Sequence, residues 1–262
     1  MLREYKSKSF TNGTVYSLLT DDGYPVEVTD TFLPFYTKDA IGNKQNILHD
    51  YDVADRTERW MIGVSCMSGC PVGCKFCATG QLPKWKPLST EEIVEQVMFI
   101  LEKNSQYSPA NAKEFKINYT RMGEPFLNIE AVKQAVKYID EKIPNVHHYI
   151  STIGIAGSDF SWIKDNITLQ ISLHSFDSEH RNWLIPYKRK MTIPELGKIR
   201  TNSKHKTTLN MTLVDESDFD IESLLKYFNK ENFFVKLSPI NPNVTSDQNH
   251  ISEGVIQSKN LL

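Results

Sequence analysis

Six short apolar runs alternate with stretches of helical period between Trp60 and Pro239, and no other feature of the chain limits its fold as strongly. The runs are Trp60 to Val64, Phe115 to Thr120, His148 to Thr152, Thr168 to Leu173, Thr208 to Val214 and Phe234 to Pro239. After the first, a helix is predicted from Thr90 to Glu102, opened by a capping box of Ser89 and Glu92 and carrying Ile93, Val94, Val97, Met98 and Leu101 on its inner side. A second is predicted from Asn128 to Glu141, capped by Asn128 and buried through Val132, Ala135, Val136 and Ile139. Shorter helices are expected at Asp159 to Lys164, at Ile193 to Thr201 behind a capping box of Thr192 and Glu195, and at Phe219 to Asn229. Strands separated by helices imply a parallel sheet, and near-continuous apolar strands suit burial on both faces. Six units are too few for a closed eight-stranded barrel, so the expectation is an α/β fold with an open or partial barrel. No internal repeat, low-complexity segment or long linker interrupts the pattern.

Residues 1–59 read differently. "TVYSLLTDDGYPVEVTD" has the alternation of a hairpin with Asp22-Gly23 at its turn. The expected organisation is an N-terminal hairpin extension over 1–59, packed on the main body, the main body over 60–242, and a tail over 243–262. The chain has 262 residues with 30 basic and 32 acidic side chains, a formal charge of −2. That balance lacks the basic excess of proteins that grip phosphate backbones, so nucleic acid is not the default partner. No apolar run approaches the roughly 18 residues of a membrane helix, and "MLREYKSKSF" lacks a signal peptide's hydrophobic stretch, so a cytoplasmic protein without membrane contact is expected.

All four cysteines fall within "CMSGCPVGCKFC", at Cys66, Cys70, Cys74 and Cys77. Crowding of this kind in a reducing compartment points to metal or redox chemistry. The loop follows the first strand, and in parallel α/β folds chemistry gathers after the carboxyl ends of strands. Three thiolates can hold three irons of a [4Fe–4S] cluster and leave the fourth open to a small ligand. A structural zinc site using Cys66 as fourth ligand is the other reading, weakened by the lack of paired C-x-x-C knuckles.

Cys70-Pro71-Val72-Gly73-Cys74-Lys75-Phe76-Cys77 has the C-x-x-x-C-x-aromatic-C spacing of radical S-adenosylmethionine (SAM) enzymes. With "MGEPFLN", "STIGI", "ISLHSFDSEHRNWLIPYKRK" and "LSPINP" in collinear order from about Val15 to Pro242, the chain resembles the RNA adenine methyltransferases RlmN and Cfr. The resemblance implies a partial (β/α)6 radical SAM barrel with an N-terminal β-hairpin. It implies Cys70, Cys74 and Cys77 as ligands of a [4Fe–4S] cluster, with the amino and carboxylate groups of SAM on the open iron. Gly123 and Glu124 would bind the methionine amino end, by backbone oxygen and carboxylate. Ser151 matches a SAM-contacting serine, Ser172-Leu173-His174 a strand end against the nucleoside, and Asn241 an asparagine near the adenine. Duller readings stand beside these: Glu124 as a loop carboxylate, Asn241 as a turn residue, His174 as a satisfied core histidine.

The departures bear on function. In the methyltransferases one cysteine stands seven residues before the first cluster cysteine and another in a tail beyond the last motif; here the first position is Gly63 and no cysteine follows Cys77. A glycine cannot replace a thiol, so the two-cysteine methylation route is expected to be closed. Cys66 does not match the resolving position and reads as a spectator, a hydrogen donor or an occasional ligand. Only about a dozen residues precede the hairpin, where the methyltransferases carry a helical RNA-holding domain. Arg121 stands where the family has glycine, and reads either as a partner for a substrate carboxylate or phosphate or as a solvated charge. "PYKRK", with Arg181, is a basic cluster read as a solvated helix end or an RNA contact. Glu27 falls where the methyltransferases have a proton acceptor and reads as a catalytic base or an exposed hairpin carboxylate.

The leading expectation is a radical SAM enzyme in which an external one-electron reductant, flavodoxin- or ferredoxin-like, drives cleavage of SAM. The 5′-deoxyadenosyl radical would abstract hydrogen from a small-molecule or peptide substrate, with group transfer from SAM as a sister possibility. An RNA-modifying relative stands second, and a zinc-stabilised binding module third.

Overall fold

The computed structural model describes residues 1–33, 36–38, 44–46, 55–238 and 240–251. The remainder of the expected N-terminal extension, Pro239 of "LSPINP" and residues 252–262 of the expected tail lie outside the described residues. The chain divides into two compact units, one of Met1–Ser68, Lys86–Gly123 and Asn128–Tyr149, the other of Gly69–Trp85, Glu124–Leu127 and the chain from Ile150 on.

The first unit opens with β1 (Arg3–Phe10), β2 (Gly13–Leu19) and β3 (Pro25–Leu33). β2 and β3 form the expected hairpin, closed by Gly23 N–H on the Thr20 carbonyl at 2.9 Å and Thr20 N–H on the Tyr24 carbonyl at 3.0 Å. Gly23 turns there at a φ of +81°, open to glycine without strain. β1 was not expected: it pairs antiparallel with β2 and every residue in it is exposed, so it carries no apolar alternation to announce it. β4 (Tyr36–Lys38) and β5 (Lys44–Asn46) form a small separate antiparallel pair. β6 (Arg59–Val64) pairs antiparallel with β3, so the hairpin extends the sheet of its own unit. β7 (Met67–Ser68) pairs with β8 (Lys86–Pro87), and α1 (Thr90–Lys103) follows. Both halves of its capping box form, with Glu92 N–H on Ser89 Oγ at 3.2 Å and Ser89 N–H on Glu92 Oε2 at 2.9 Å. Its buried face is Ile93, Gln96, Val97 and Ile100, rotated from the expected one so that a glutamine replaces Val94, Met98 and Leu101. β9 (Glu114–Tyr119) lies parallel to β6, and α2 (Ile129–Lys142) buries the four expected residues. The strand order in this unit is β1-β2-β3-β6-β9-β10, ending in the first residues of β10 (Val146–Thr152).

In the second unit the end of β10 is followed in order by β11 (Ile167–Ser172), β12 (Thr207–Met211) and β13 (Phe233–Leu237), with β12 parallel to both neighbours. The expected helix at Asp159 to Lys164 is absent: Asp159 accepts from the N–H and hydroxyl of Ser161, and these local bonds replace a helical turn. A helix that the sequence pattern does not announce, α3 (Ser178–Leu184), is capped by Asp177. α4 (Ile193–Leu196) stops far short of Thr201: beyond Gly197 the Lys198 and Ile199 amides bond back only three residues, to the Glu195 and Leu196 carbonyls. α5 (Ile221–Tyr227) is capped by Asp220, and α6 (Val244–Gln248) by Asn243. β12 ends three residues early because the next amides turn to side chains: Thr212 N–H donates to His174 Nδ1, and Val214 N–H to Asp218. Among the described residues no helix is long and apolar enough to cross a membrane.

Candidate functional site

The approach to the cysteines belongs to the first unit. Where β6 ends, Ser65 donates its N–H to Gln96 Oε1 at 2.8 Å and accepts Gln96 Nε2 at 2.9 Å on its carbonyl, so a side-chain amide extends the ladder by one rung. The Cys66 and Met67 amides both donate to the Met122 carbonyl, at 2.9 and 3.1 Å. Asn128 does not cap α2 through its side chain, contrary to expectation; its Nδ2 donates to the Cys66 and Leu88 carbonyls at 2.8 and 2.7 Å. Gly123 sits at a φ of +101°, and a Cβ there would fall 2.6 Å from the Met67 side chain. Both the left-handed backbone and the close crossing require glycine.

Cys70, Cys74 and Cys77 lie in the second unit with no disulfide. Gly73 turns at a φ of +71° and a Cβ on Gly80 would meet its Cα at 3.0 Å, so the loop folds back on itself. Its backbone is pinned by Lys75 N–H on the Leu184 carbonyl, Asn243 Nδ2 on the Phe76 carbonyl and Asn249 Nδ2 on the Lys75 carbonyl. Burial pushes the Cys70 thiol up to about 12, and burial with the charges of Cys77, Cys70 and Glu124 holds Cys74 well above the ordinary thiol range.

Glu124 is 3% exposed; its Oε2 accepts from Ile153 N–H at 2.9 Å and its Oε1 from Phe126 N–H at 3.0 Å. Burial lifts it to about 7, against the pull of those amides and of the Thr152 hydroxyl. Ser151 lies half-buried on β10, beside Thr152, and Ser172 half-buried at the end of β11. Leu173 is buried, and His174 follows at a φ of +64° with its ring edge to Phe76, 4.8 Å between centroids. With Thr212 N–H on Nδ1 and burial pushing it down to about 3, His174 is a neutral histidine with one ring nitrogen bonded. Asn241 is exposed, its carbonyl accepting from Asn243. Arg181 is no solvated helix end: 2% exposed, it donates Nε to the Leu173 carbonyl, Nη1 to Met191 and Nη2 to Ile153, tying the ends of β10 and β11 together. Burial lowers it to about 10, and Cys74 opposes the shift. Lys188 and Lys190 of "PYKRK" line, with Arg181 and Ser178, a cavity of about 390 Å³. Sequence reasoning gave Asn128 and Arg181 other roles, a helix cap and a solvated or RNA-facing charge, and missed the carbonyls they hold, because nothing in "EPFLN" or "EHRNWLI" shows which strand ends will lie beside them.

Glu27 and Arg121, read separately from the sequence, are paired. Arg121 Nε reaches Glu27 Oε1 at 2.7 Å and Nη2 bonds the same oxygen. The arginine's stem crosses Gly63, where a Cβ would fall 2.9 Å from Arg121 Cδ and closer still to Thr29 Oγ1.

Residues 64–228 match the model of the Radical SAM superfamily. The chain belongs to the radical SAM superfamily. It is 36% identical over 191 residues to a probable dual-specificity RNA methyltransferase RlmN from Pseudothermotoga lettingae, covering 68% of this chain and 54% of that protein. It is 34% identical over 199 residues to the dual-specificity RNA methyltransferase RlmN of Helicobacter hepaticus, covering 71% of this chain and 53% of the other. It thus spans a little over half the length of these curated relatives. A solved radical SAM methyltransferase from Sphaerobacter thermophilus matches with a TM-score of 0.68 at 25% identity, over 92% of this chain and 67% of that one. The alternating strands and helices of residues 64–228 are the part that the superfamily covers; its cofactors are a [4Fe–4S] cluster and SAM, and its members draw on an external reductant. The N-terminal hairpin lies outside that segment. The donor set of the cysteine loop fits the cluster in kind: Cys70, Cys74 and Cys77 are free of disulfides, and Cys70 and Cys74 are disfavoured as lone anions, first by burial and then by neighbouring negative groups, which a cationic group would relieve.

Proposed function

We propose that the chain is a radical SAM enzyme acting through a cluster held by Cys70, Cys74 and Cys77, and that it does not methylate by the two-cysteine route. The carrying observation is the Cys70, Cys74, Cys77 spacing inside the segment, residues 64–228, that matches the Radical SAM superfamily. Bound there, cluster and SAM supply a 5′-deoxyadenosyl radical. Glu124 gives up its proton to receive the methionine ammonium, with Ile153 and Phe126 N–H fixing the carboxylate meanwhile. The Gly123 carbonyl is a second acceptor for the ammonium. Ser151, the Ser172 to His174 segment and Asn241 line the nucleoside, His174 by its backbone position and its contact with Phe76. Against the two-cysteine route stands Gly63, whose side-chain space Thr29 and Arg121 already fill.

The substrate has two readings. A small molecule or peptide suits the charge of −2. RNA is favoured by the names of the relatives, which are RNA methyltransferases. Oxygen-free reconstitution, followed by dithionite and SAM, is the test, with nucleoside products separated by mass. 5′-Deoxyadenosine that disappears in Cys74→Ala supports the radical reading, and no SAM cleavage by an iron-loaded protein sinks it. S-adenosylhomocysteine as main product revives methyl transfer. RNA binding that weakens steeply with salt selects the second substrate reading, since phosphate contacts release counterions.

A further inference from the structure

Arg121 stands just past the carboxyl end of β9, two residues along the chain from Gly123, with its side chain 35% exposed. Glu27 meets only the flank of the guanidinium: Nε and Nη2 share its Oε1. The end-on fork of Nη1 and the outer Nη2 N–H, and Glu27 Oε2, have no partner among the described residues. Gly63 makes this posture possible, because Arg121 Cδ and Cγ lie 2.9 and 3.2 Å from where any Cβ would be. A guanidinium held along one edge has lost most of its freedom before a ligand arrives, and its remaining fork matches two oxygens of a carboxylate or phosphate. The neighbouring Glu27 oxygen repels a bare anion but accepts from an adjacent hydroxyl or amine.

We infer that Glu27 and Arg121 form a substrate-recognition site for an anionic group, carboxylate or phosphate, flanked by a hydroxyl or amino donor. Arg121 grips the anion through its free fork, and Glu27 both holds the guanidinium and takes the donor. The inference rests on the radical SAM reading of the chain. The pair is a positioning and specificity device; on this assignment Glu27 moves no proton.

The probes are lactate and glycerol 3-phosphate, which share a hydroxyl and differ in the anion, titrated by saturation-transfer NMR into protein reconstituted with cluster and SAM. Binding of one probe is expected, weakened at least tenfold in Arg121→Met and at least threefold in Glu27→Gln, with Arg121→Lys intermediate. The probe that binds identifies the anion. Absence of binding by both, or affinity unchanged in Arg121→Met, overturns the inference and leaves a structural pair. Should Arg121→Met not fold, Arg121→Lys decides: unchanged affinity overturns the inference, a threefold loss supports it. 5′-Deoxyadenosine formation by the unaltered protein is measured in parallel. Its absence with intact probe binding sinks the proposed function alone, and its presence without probe binding sinks this inference alone.

Discussion

Gly63 owes its identity to a neighbour rather than to its own backbone, since Arg121 Cδ and Cγ and Thr29 Oγ1 occupy the volume a side chain would need. Gly63→Ala is therefore expected to cost about 1–3 kcal/mol through overpacking, read as a lower urea midpoint. Adding Arg121→Gly should return part of that loss, while Thr29 keeps the rest. Glu124 gives a second outcome at this scale. Its carboxyl rises from 4.5 to about 7 in the folded SAM-free protein, so the folded state binds the proton more tightly than the unfolded one. That contribution is present below 4.5 and lost as pH rises through about 7, on the order of 3 kcal/mol for a fully buried group. His174, lowered to about 3, works the other way, losing stability as pH falls from 6.5. The clean measurement is urea unfolding against pH for the protein and Glu124→Gln side by side: the variant should lack the decline toward neutrality. SAM binding should also release about half a proton at pH 7 and close to one near pH 6, seen by calorimetry in buffers of different ionisation enthalpy.

The segment from β6 to α2 shows how one side chain can serve two elements. Asn128 occupies the N-cap position of α2, yet its amide holds the Cys66 and Leu88 carbonyls instead of the helix. Asn128→Ala is expected to cost about 1–3 kcal/mol by taking the amide away from the Leu88 carbonyl and leaving the Cys66 carbonyl with Leu88 N–H alone. Asn128→Ser, a good cap with no reach, should not restore it, and chemical denaturation of the three proteins tells capping from clamping. The same residue marks how far sequence reasoning carries. α1, α2 and the strands β6, β9, β10, β11 and β12 were legible because their buried apolar residues set a period or a continuous run, and β13 by its apolar residues alone, since the fold leaves Phe234 and Leu237 exposed. β1 was not, being exposed throughout, and the turn at Asp159 was not, because a local Asx bond outcompeted a weak helical pattern. The cysteine spacing was legible as chemistry. Arg181 was not, because burial against three carbonyls is a property of where β10 and β11 end, not of the residues beside it. The Glu27–Arg121 pair joins residues 94 positions apart, and only the alignment of β3 with β6 and of β6 with β9 brings them together.

For the molecule as a whole, membership in the radical SAM superfamily fixes the cofactors, and a formal charge of −2 gives this chain little long-range pull of its own on a polyanion. The anchors that present the cysteine loop contain no metal ligand of the proposed set: Gln96 grips Ser65, Asn128 grips Cys66, and the Met122 carbonyl takes two amides. Chelated, iron-free protein is therefore expected to keep its far-ultraviolet circular dichroism and a cooperative melt, unlike a zinc finger, which unfolds without its ion. A scaffold that outlasts its cluster turns oxygen damage into a reversible event: the polypeptide stays folded, escapes clearance as an unfolded chain, and can be loaded with iron and sulfide again.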